Sequence, residues 1–227
     1  MANDVPYSEL HCRSNFSFLQ GASHPEQLVE QAQSLGLEAL ALTDRNGLYG
    51  IVRFAEAARA IGLPTVFGAE LQLDSGSLVI IARNPRGYAH LSSAISAGQL
   101  AGSKEHPVFV LEQLGEFSVG DWWVMTGGRD GAVVRALNEQ GPSAAERRVQ
   151  QMKTVFGNDS VLMEVWDHGD PLDSVRNDAL VRIAMRCNVQ CIATNDVSYA
   201  SLREYRLAVA LAAVRQRASL DEIDLQL

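Results

Sequence analysis

Polar and charged side chains stand where several apolar segments of this 227-residue chain end. In proteins built of alternating strands and helices, the C-terminal ends of the strands carry the active site, so this placement indicates an actual or an ancestral site. The groups delivered there are, in chain order, His11, Cys12 and Arg13, then Asp44 and Arg45, Glu70, Gly127 and Gly128, Glu164 and His168, and finally Asn195, Asp196 and Ser198.

Each of these residues could also have a purely structural role. Asp44 could cap the helix that follows it, and Glu70 could point to solvent from a strand. The convergence of four or five charged groups at the same ends of the strands makes a site the better interpretation.

Short apolar runs alternate with helical patterns along the whole chain. Strands are predicted at residues 9–12, 39–43, 65–73, 78–82, 122–126, 161–165 and 191–194, with a hairpin turn at 74–76. Helices are predicted at 23–36, 48–61, 87–100, 131–139, 143–156, 173–187 and 202–213, two of them opened by capping boxes at Ser23/Glu26 and Ser143/Glu146. Residues 98–107 are the expected exposed loop.

This order predicts an α/β fold with a mainly parallel sheet. The length fits a distorted β/α barrel better than an open sheet. We expect one domain over residues 1–227, with a core at about 7–214 and a polar tail at 215–227.

The composition limits the function. The chain has 47% apolar residues and a net charge of −8, which argues against a main nucleic-acid-binding surface. Its N-terminus lacks the pattern of a signal peptide, and it has no apolar run long enough to span a bilayer, so we expect a cytoplasmic protein without membrane contact. Three cysteines, an odd number, are interpreted as reduced and mostly buried thiols.

Weaker patterns are interpreted structurally. The segment 127–131 could hold an anion at a helix N-terminus, but it lacks a phosphate-loop pattern, so a tight loop is favoured. The adjacent Trp122 and Trp123 are assigned to packing. His24 and His90 are expected to be structural or solvated, whereas His168 could be a remnant of the site.

Several segments, in order, resemble the PHP (polymerase and histidinol phosphatase) domain. The resemblance is closest to the PHP domain that opens the α subunit of bacterial C-family DNA polymerases, and within these to the error-prone branch. The segments are ELHCRSNFSFLQGAS at 9–23, LALTDRNGLYG at 40–50, FGAE at 67–70, GDPL at 169–172, RNDAL at 176–180, ATNDVSYA at 193–200 and LAVALAAVRQRASLDE at 207–222. The resemblance implies a distorted seven-stranded β/α barrel, in which histidines, acids and a cysteine at the strand ends of active members hold a cluster of divalent metals for phosphoester hydrolysis or proofreading.

The chain departs from that pattern at five positions. Arg13, Arg45 and Ser198 stand where the family has histidine, Gln20 stands where it has an acid, and Gly128 where it has cysteine.

Three expected ligands remain, His11, Glu70 and Asp196, and they could hold at most one metal weakly. His106 could match another family histidine. Because a guanidinium offers no lone pair and repels a cation, we expect Arg13 and Arg45 to pair with Glu70 and Asp196 and to supply the charge that metals once provided.

The resulting prediction is a non-catalytic domain of an error-prone, translesion DNA polymerase that braces the polymerase core. It would need no cofactor itself, whereas the parent nucleotidyltransferase would need magnesium. Its partners would be the remaining polymerase domains, with DNA contacted through the parent protein. The alternative is a residual metal-dependent phosphoesterase or proofreading exonuclease, and a free-standing interaction module is a third possibility.

Overall fold

The computed structural model describes residues 5–103 and 105–223. Close contacts divide the chain into two compact units, one formed by residues up to Phe67 together with those from Asp196 onward, and the other by Gly68–Asn195. The prediction of a single domain stays a prediction, and the two units are described separately.

The first unit contains three parallel strands with helices between them. Its elements are β1 (Ser8–Glu9), α1 (Pro25–Ser34), β2 (Ala39–Leu42), α2 (Ile51–Ile61), the first residues of β3 (Thr65–Leu73), α8 (Tyr205–Gln216) and α9 (Leu220–Ile223). Strand β2 pairs in parallel with both β1 and β3. Leu42 and Phe54 are fully buried and anchor the packing of strand and helix.

The second unit contains the remainder of β3 and the other elements. These are β4 (Gly76–Ala82), α3 (Pro85–Ala101), α4 (Leu111–Ser118), β5 (Trp122–Met125), α5 (Ala132–Gln140), α6 (Pro142–Phe156), β6 (Val161–Val165), α7 (Asp173–Cys187) and β7 (Gln190–Ala193). Strand β4 is antiparallel to β3 and β5, and β5, β6 and β7 are parallel. The predicted fold class, α/β with seven strands and one hairpin, is confirmed in the described residues.

The predicted helix starts were wrong at both capping boxes. Helix α1 begins at Pro25 with His24 as its N-cap, and the side chain of Gln27, not Glu26, accepts from the His24 amide at 2.8 Å. Helix α6 begins at Pro142 after Gly141, so Ser143 lies inside its first turn. In both cases proline takes the first helical position, where its missing N–H costs nothing.

Helix α2 begins three residues later than predicted, because the residues before it form a compact turn. Gly50 lies so close to Asp44 that a β-carbon there would meet the carboxylate at 2.7 Å. The helix ends as predicted at Gly62, whose φ of 74° is in the left-handed region that favours glycine.

Helix α4 was missed, and part of the predicted loop 98–107 belongs to α3. Gly115 lowers the helical propensity of the α4 segment, but it allows the helix to approach Val155 of α6 closely. Leu111, Leu114 and Ser118 form the buried side of the helix, and this spacing was a signal that could have found it.

The predicted polar tail 215–227 is partly helical. Ile223 of α9 is buried against Val209, Ala212 and Ala213 of α8, so the segment contributes to the packing of the first unit. Residues 224–227 lie outside the described residues.

The cysteines and tryptophans mostly follow their predictions. All three cysteines are free thiols. Cys12 and Cys187 are buried and Cys191 is exposed, so the thiols are mostly buried, as predicted. Trp122 is fully buried, whereas the half-buried Trp123 stacks under the Arg83 guanidinium at 3.7 Å from the ring centroid. No helix in the described ranges is long and apolar enough to cross a membrane.

One ion pair fixes the start of α3 to the turn before β5. Arg86 donates to both carboxylate oxygens of Asp121 at 2.6 and 2.9 Å, and Asn84 adds a third hydrogen bond at 2.9 Å. The hydrogen bonds from Arg86, followed by that from Asn84, lower the pKa of Asp121 from 3.8 to about 2.

We therefore expect Arg86→Ala to lower the free energy of unfolding mainly at pH values above 3.8, the ordinary pKa of an aspartate carboxyl. A lowered folded-state pKa stabilises the fold when the carboxyl is ionised, and this stabilisation is lost as the pH falls from 3.8 towards 2. Urea unfolding of the wild type and of Arg86→Ala between pH 2 and 7 measures the effect. A stability difference that does not shrink towards pH 2 would contradict this assignment.

Candidate functional site

The end of β1 and the segment after β7 are joined in the first unit by backbone hydrogen bonds. The Val197 amide donates to the His11 carbonyl, and the Arg13 amide donates to the Val197 carbonyl, both at 2.8 Å. This pairing places Asp196 beside the side chains of His11 and Arg13.

Asp196 forms an ion pair with Arg13. The Arg13 Nη2 lies 2.5 Å from the Asp196 Oδ1, and the His11 Nε2 lies 3.4 Å from the same oxygen. Both Arg13 and Asp196 are largely shielded from solvent, and His11 is buried. Asp196 has a φ of 45°, a left-handed conformation that aspartate tolerates better than most residues.

Asp44 holds the loop that follows β1. Its Oδ1 accepts from the Ser14 amide at 2.7 Å and from the Ser17 hydroxyl at 2.8 Å, and the Ser14 hydroxyl lies 2.9 Å from its Oδ2. Burial raises the pKa of Asp44, and the hydrogen bonds from Ser17 and Ser14 oppose that rise only in part. Asp44 therefore positions the loop after β1. This differs from the structural role considered for it from the sequence, which was to cap the following helix.

Glu9 is a buried acid that sequence reasoning did not assign to the site. Its two carboxylate oxygens accept from the Tyr7 hydroxyl and the His11 amide, each at 2.7 Å. His11 follows Glu9 by two residues in the predicted strand 9–12, and this alternation was the signal that could have found Glu9.

Cys12 lies between these acids and is fully buried. Burial, followed by the charges of Glu9 and Asp44, raises the pKa of its thiol well above 9.0. The thiolate form that metals and electrophiles require is therefore disfavoured at neutral pH.

The other predicted positions in the first unit contribute through the backbone. The Gln20 amide donates to the Ser17 carbonyl at 2.9 Å, and the Ser198 carbonyl accepts from the Ala22 amide at 2.7 Å. The Arg45 amide donates to the Ser17 hydroxyl at 2.9 Å. The proposed pairing of the Arg45 side chain with a carboxylate stays a prediction.

Glu70 and Gly128 belong to the second unit. Glu70 is buried on β3 opposite Val79, and Gly128 is buried in the loop before α5. That loop is tight, as expected, since a β-carbon on Gly131 would collide with the carbonyl oxygens of Thr126 and Gly127. The pairing of Glu70 with Arg13 or Arg45 stays a prediction.

Glu164 shares a face of the second unit's sheet with Glu70. Across the sheet, Glu70 is paired with Val79, Val79 with Met125, and Met125 with Leu162. Glu164 lies two residues beyond Leu162 and therefore on the same face of the sheet. Glu164 is fully buried and accepts from the Thr194 hydroxyl at 2.6 Å.

The histidines considered outside the main site have structural contacts or are exposed. The exposed His168 lies 2.8 Å from the Asn195 carbonyl through its Nε2, and its amide donates to Asp173 at 2.7 Å. His24 contacts the Asn15 amide group at 2.9 Å, and His90 lies 3.8 Å from Asp121. His106 is exposed in the loop after α3.

The donor set does not fit a metal cluster. Across residues 5–103 and 105–223, no group of three or more His, Cys, Asp and Glu side chains could hold a metal ion. His11 and Asp196 are close, but the Arg13 guanidinium occupies the Asp196 oxygen and would repel a cation there.

Parallel strands with helices between them, carrying polar groups near the ends of the strands, define an α/β protein. Residues 9–168 match the PHP domain family. The chain therefore belongs to the PHP domain family.

Its relatives by sequence include error-prone DNA polymerases. That of Cutibacterium acnes is 45% identical over 97% of this chain and 20% of the relative, and that of Mycolicibacterium paratuberculosis is 46% identical over 96% of this chain and 21% of the relative. The chain thus spans about a fifth of the length of these relatives.

The fold is also similar to a solved structure from Bifidobacterium adolescentis, provisionally described as a metal-dependent phosphoesterase. The TM-score is 0.63 at 18% identity, covering 91% of this chain and 96% of the other. An amidohydrolase from Chromobacterium violaceum gives a TM-score of 0.57 at 17% identity, covering 85% of this chain and 87% of the other. At these identities the likeness concerns the fold alone.

The contacts of Asp44 generate a prediction that separates its charge from its hydrogen bonds. Asparagine can accept from the Ser14 amide and the Ser17 hydroxyl with its Oδ1 and donate to the Ser14 hydroxyl with its Nδ2. We expect Asp44→Asn to be as stable as the wild type or more stable at pH 7, because it removes a buried charge whose pKa is raised. Asp44→Ala should lose about 3 kcal/mol, since it leaves buried donors without acceptors.

Thermal and urea unfolding of both variants measure this difference. Asp74→Asn is the control, because Asp74 is exposed and its variant should stay within about 0.5 kcal/mol of the wild type. Equal destabilisation by Asp44→Asn and Asp44→Ala would show that the charge itself is required.

Proposed function

We propose that this chain is the PHP domain of an error-prone DNA polymerase, and that an arginine–carboxylate pair has replaced the metal site of the domain. The observation that carries the proposal is the 2.5 Å contact between Arg13 and Asp196. Arg13 stands where the resemblance places a histidine ligand, and its guanidinium remains charged at all physiological pH values. The pair supplies locally the positive charge that a cation would otherwise bring to Asp196.

The work of the domain would then be structural. The site offers a buried imidazole, an aspartate paired with an arginine and a buried thiol. The domain would stabilise the polymerase core of the full-length chain, which would copy damaged templates in the cytoplasm. Binding of DNA and of catalytic magnesium would belong to other parts of that chain.

A residual metal-dependent phosphoesterase or proofreading activity is the second candidate. It is favoured by the distance of 3.4 Å between the His11 Nε2 and the Asp196 Oδ1, which places one nitrogen donor beside one oxygen donor. It is also consistent with the fold shared with the Bifidobacterium adolescentis protein. Two donors are fewer than a catalytic zinc site takes from the protein.

The first test of the proposal concerns the ion pair. We expect Arg13→Ala to lower the free energy of unfolding by about 1–3 kcal/mol, because Asp196 is left as a shielded and uncompensated charge. Adding Asp196→Asn should restore part of this loss, since asparagine keeps the left-handed backbone and removes the charge.

Urea unfolding at pH 7 measures all of these variants. Arg182→Ala is the matched control, because that arginine is exposed and its removal should change stability by less than about 0.5 kcal/mol. If the double variant were no more stable than Arg13→Ala, the pair would not be compensating a buried charge.

The second test concerns metal content. We expect clearly less than one divalent metal per chain after equilibration with Mn²⁺ or Zn²⁺ and desalting, as measured by inductively coupled plasma mass spectrometry. The Arg13→His variant should retain more metal than the wild type, because it adds an imidazole and frees the Asp196 oxygen. Two or more metals bound to the wild type, together with hydrolysis of a phosphoester, would establish the second candidate instead.

A further inference from the structure

Helix α8 of the first unit carries apolar side chains on two sides. Its buried side consists of Ala208, Val209, Ala212 and Ala213. This side packs against Ile223 of α9. On the other side, Leu207 is 48% exposed, Val214 is 62% exposed, and Leu211 between them is partly exposed. We call Leu207, Leu211 and Val214 the α8 stripe. A surface helix ordinarily carries polar residues opposite its buried side, so the stripe indicates a second packing surface.

The spacing of the α8 stripe is that of a contact between two helices. Leu211 follows Leu207 by four residues and Val214 follows Leu211 by three, so the three side chains lie along one line of the helix. Steps of three and four residues also define the apolar seam of a coiled coil. Because the opposite side of α8 is already packed, a partner can lie along the stripe but cannot surround the helix. This geometry fits a second helix laid alongside α8.

Arginines border the α8 stripe. Successive residues of an α-helix are rotated by about 100° from one another. Arg206 directly precedes Leu207 and Arg215 directly follows Val214, so the two arginines lie on opposite borders of the stripe. Both arginines are exposed, and so is Arg217, the C-cap of the helix. An apolar line with a guanidinium on each border matches a partner that has carboxylates beside its own apolar line.

The local charge of α8 is opposite in sign to that of the chain. Residues 202–218 include four arginines and one glutamate, whereas the whole chain has a net charge of −8. The acids Asp221 and Glu222 belong to α9, which packs against the buried side of α8, and Glu222 already accepts from the Ser219 amide and hydroxyl at 2.8 and 2.9 Å. A positive surface on an otherwise negative protein favours a negatively charged partner.

Other occupants fit the α8 stripe less well. A second copy would bring arginines against arginines. A nucleic acid would use the arginines but would leave Leu207 and Val214 exposed to water. An anionic membrane surface is typically bound by helices with aromatic anchors, and the stripe consists of two leucines and a valine.

We propose that the α8 stripe binds an acidic amphipathic helix of another protein. The apolar side chains of that helix would cover Leu207, Leu211 and Val214, and its carboxylates would pair with Arg206 and Arg215. This binding goes beyond the proposed structural role, because none of the residues involved belongs to the pair of Arg13 with Asp196.

Fluorescence anisotropy with the 227-residue chain tests the proposal. The probe is a fluorescein-labelled peptide of about 18 residues, with leucines along one line of a helix and glutamates on both borders of that line. A matched peptide carries lysine in place of each glutamate. We expect the chain to bind the glutamate peptide about tenfold or more tightly than the lysine peptide, because like charges oppose association. Equal affinity for the two peptides would overturn the proposal.

Surface variants locate the binding. Leu207→Ser/Val214→Ser should weaken the binding of the glutamate peptide about tenfold or more, because central apolar contacts dominate interfaces. The matched control is Val52→Ser on α2, where the side chain is 67% exposed, and its affinity should stay within about twofold of the wild type. An equal loss in the variant and in the control would show that the peptide does not bind at the stripe.

Charge reversal separates a lost contact from a lost fold. Arg206→Glu/Arg217→Glu should prefer the lysine peptide about tenfold over the glutamate peptide, which is the reverse of the wild-type preference. A variant that failed to fold would bind neither peptide, so a gain in affinity for the lysine peptide can come only from the altered surface. An unchanged preference for the glutamate peptide would contradict the proposal.

Competing ligands complete the test. If a DNA duplex of about 20 base pairs or phosphatidylserine vesicles bound more tightly than the glutamate peptide, and through Arg206 but not Leu207, the proposal would be wrong. Self-association of the wild type that Leu207→Ser/Val214→Ser abolishes in sedimentation velocity would assign the stripe to a second copy and would also overturn it. The metal content of the chain is independent of these outcomes, so a failure here is distinguishable from a failure of the proposed function.

Discussion

The first unit is organised by the need to compensate acids that are removed from water. Glu9 lies at the end of β1, Asp44 follows β2, and Asp196 lies beside the segment after β1, all of them buried or largely shielded. An isolated buried carboxylate costs several kcal/mol. Each acid meets this requirement differently. Glu9 accepts from a tyrosine hydroxyl and a backbone amide, Asp44 from two serines, and Asp196 from an arginine. The course of the chain through the loop after β1 follows from these contacts.

Under the proposed function, the same requirement would explain how a domain of the PHP family keeps its architecture while its ligand set changes. A metal cluster compensates several acids with a few cations, so the loss of histidine ligands would leave acids without compensation. Under the proposed function, arginine at position 13 would supply this compensation locally, because its charge is permanent and its planar head can approach a carboxylate closely. Serine hydroxyls serve the same purpose at Asp44 without any charge. The polar appearance of the strand ends is thus compatible with a structural role.

Much of the fold could be predicted from the sequence. The strand Val161–Val165 and the helix Asp173–Cys187 have the predicted bounds, because apolar periodicity determines such segments directly. The starts of α1 and α6 were wrong, because the N-caps are His24 and Gly141, each followed by a proline at the first helical position, and not the predicted serines. Helix α4 was missed, because its glycine serves a tertiary contact that local propensity does not reveal.

The site was less accessible to sequence reasoning. The approach of Arg13 to Asp196 was expected from charge, and the two residues are separated by 183 positions in the chain. The roles of Asp44 and Glu9 depend on which backbone amides and hydroxyls face them, and sequence spacing does not specify this.

The left-handed backbone at Asp196 has a consequence for how families of this kind are compared. At a φ of 45°, most side chains collide with their own backbone, and aspartate, asparagine and glycine are the residues that tolerate the conformation best. An acid at this position can therefore persist through evolution because of the shape of the chain, after its original chemistry has been lost. Sequence conservation of that aspartate among relatives would by itself be no measure of retained hydrolytic activity.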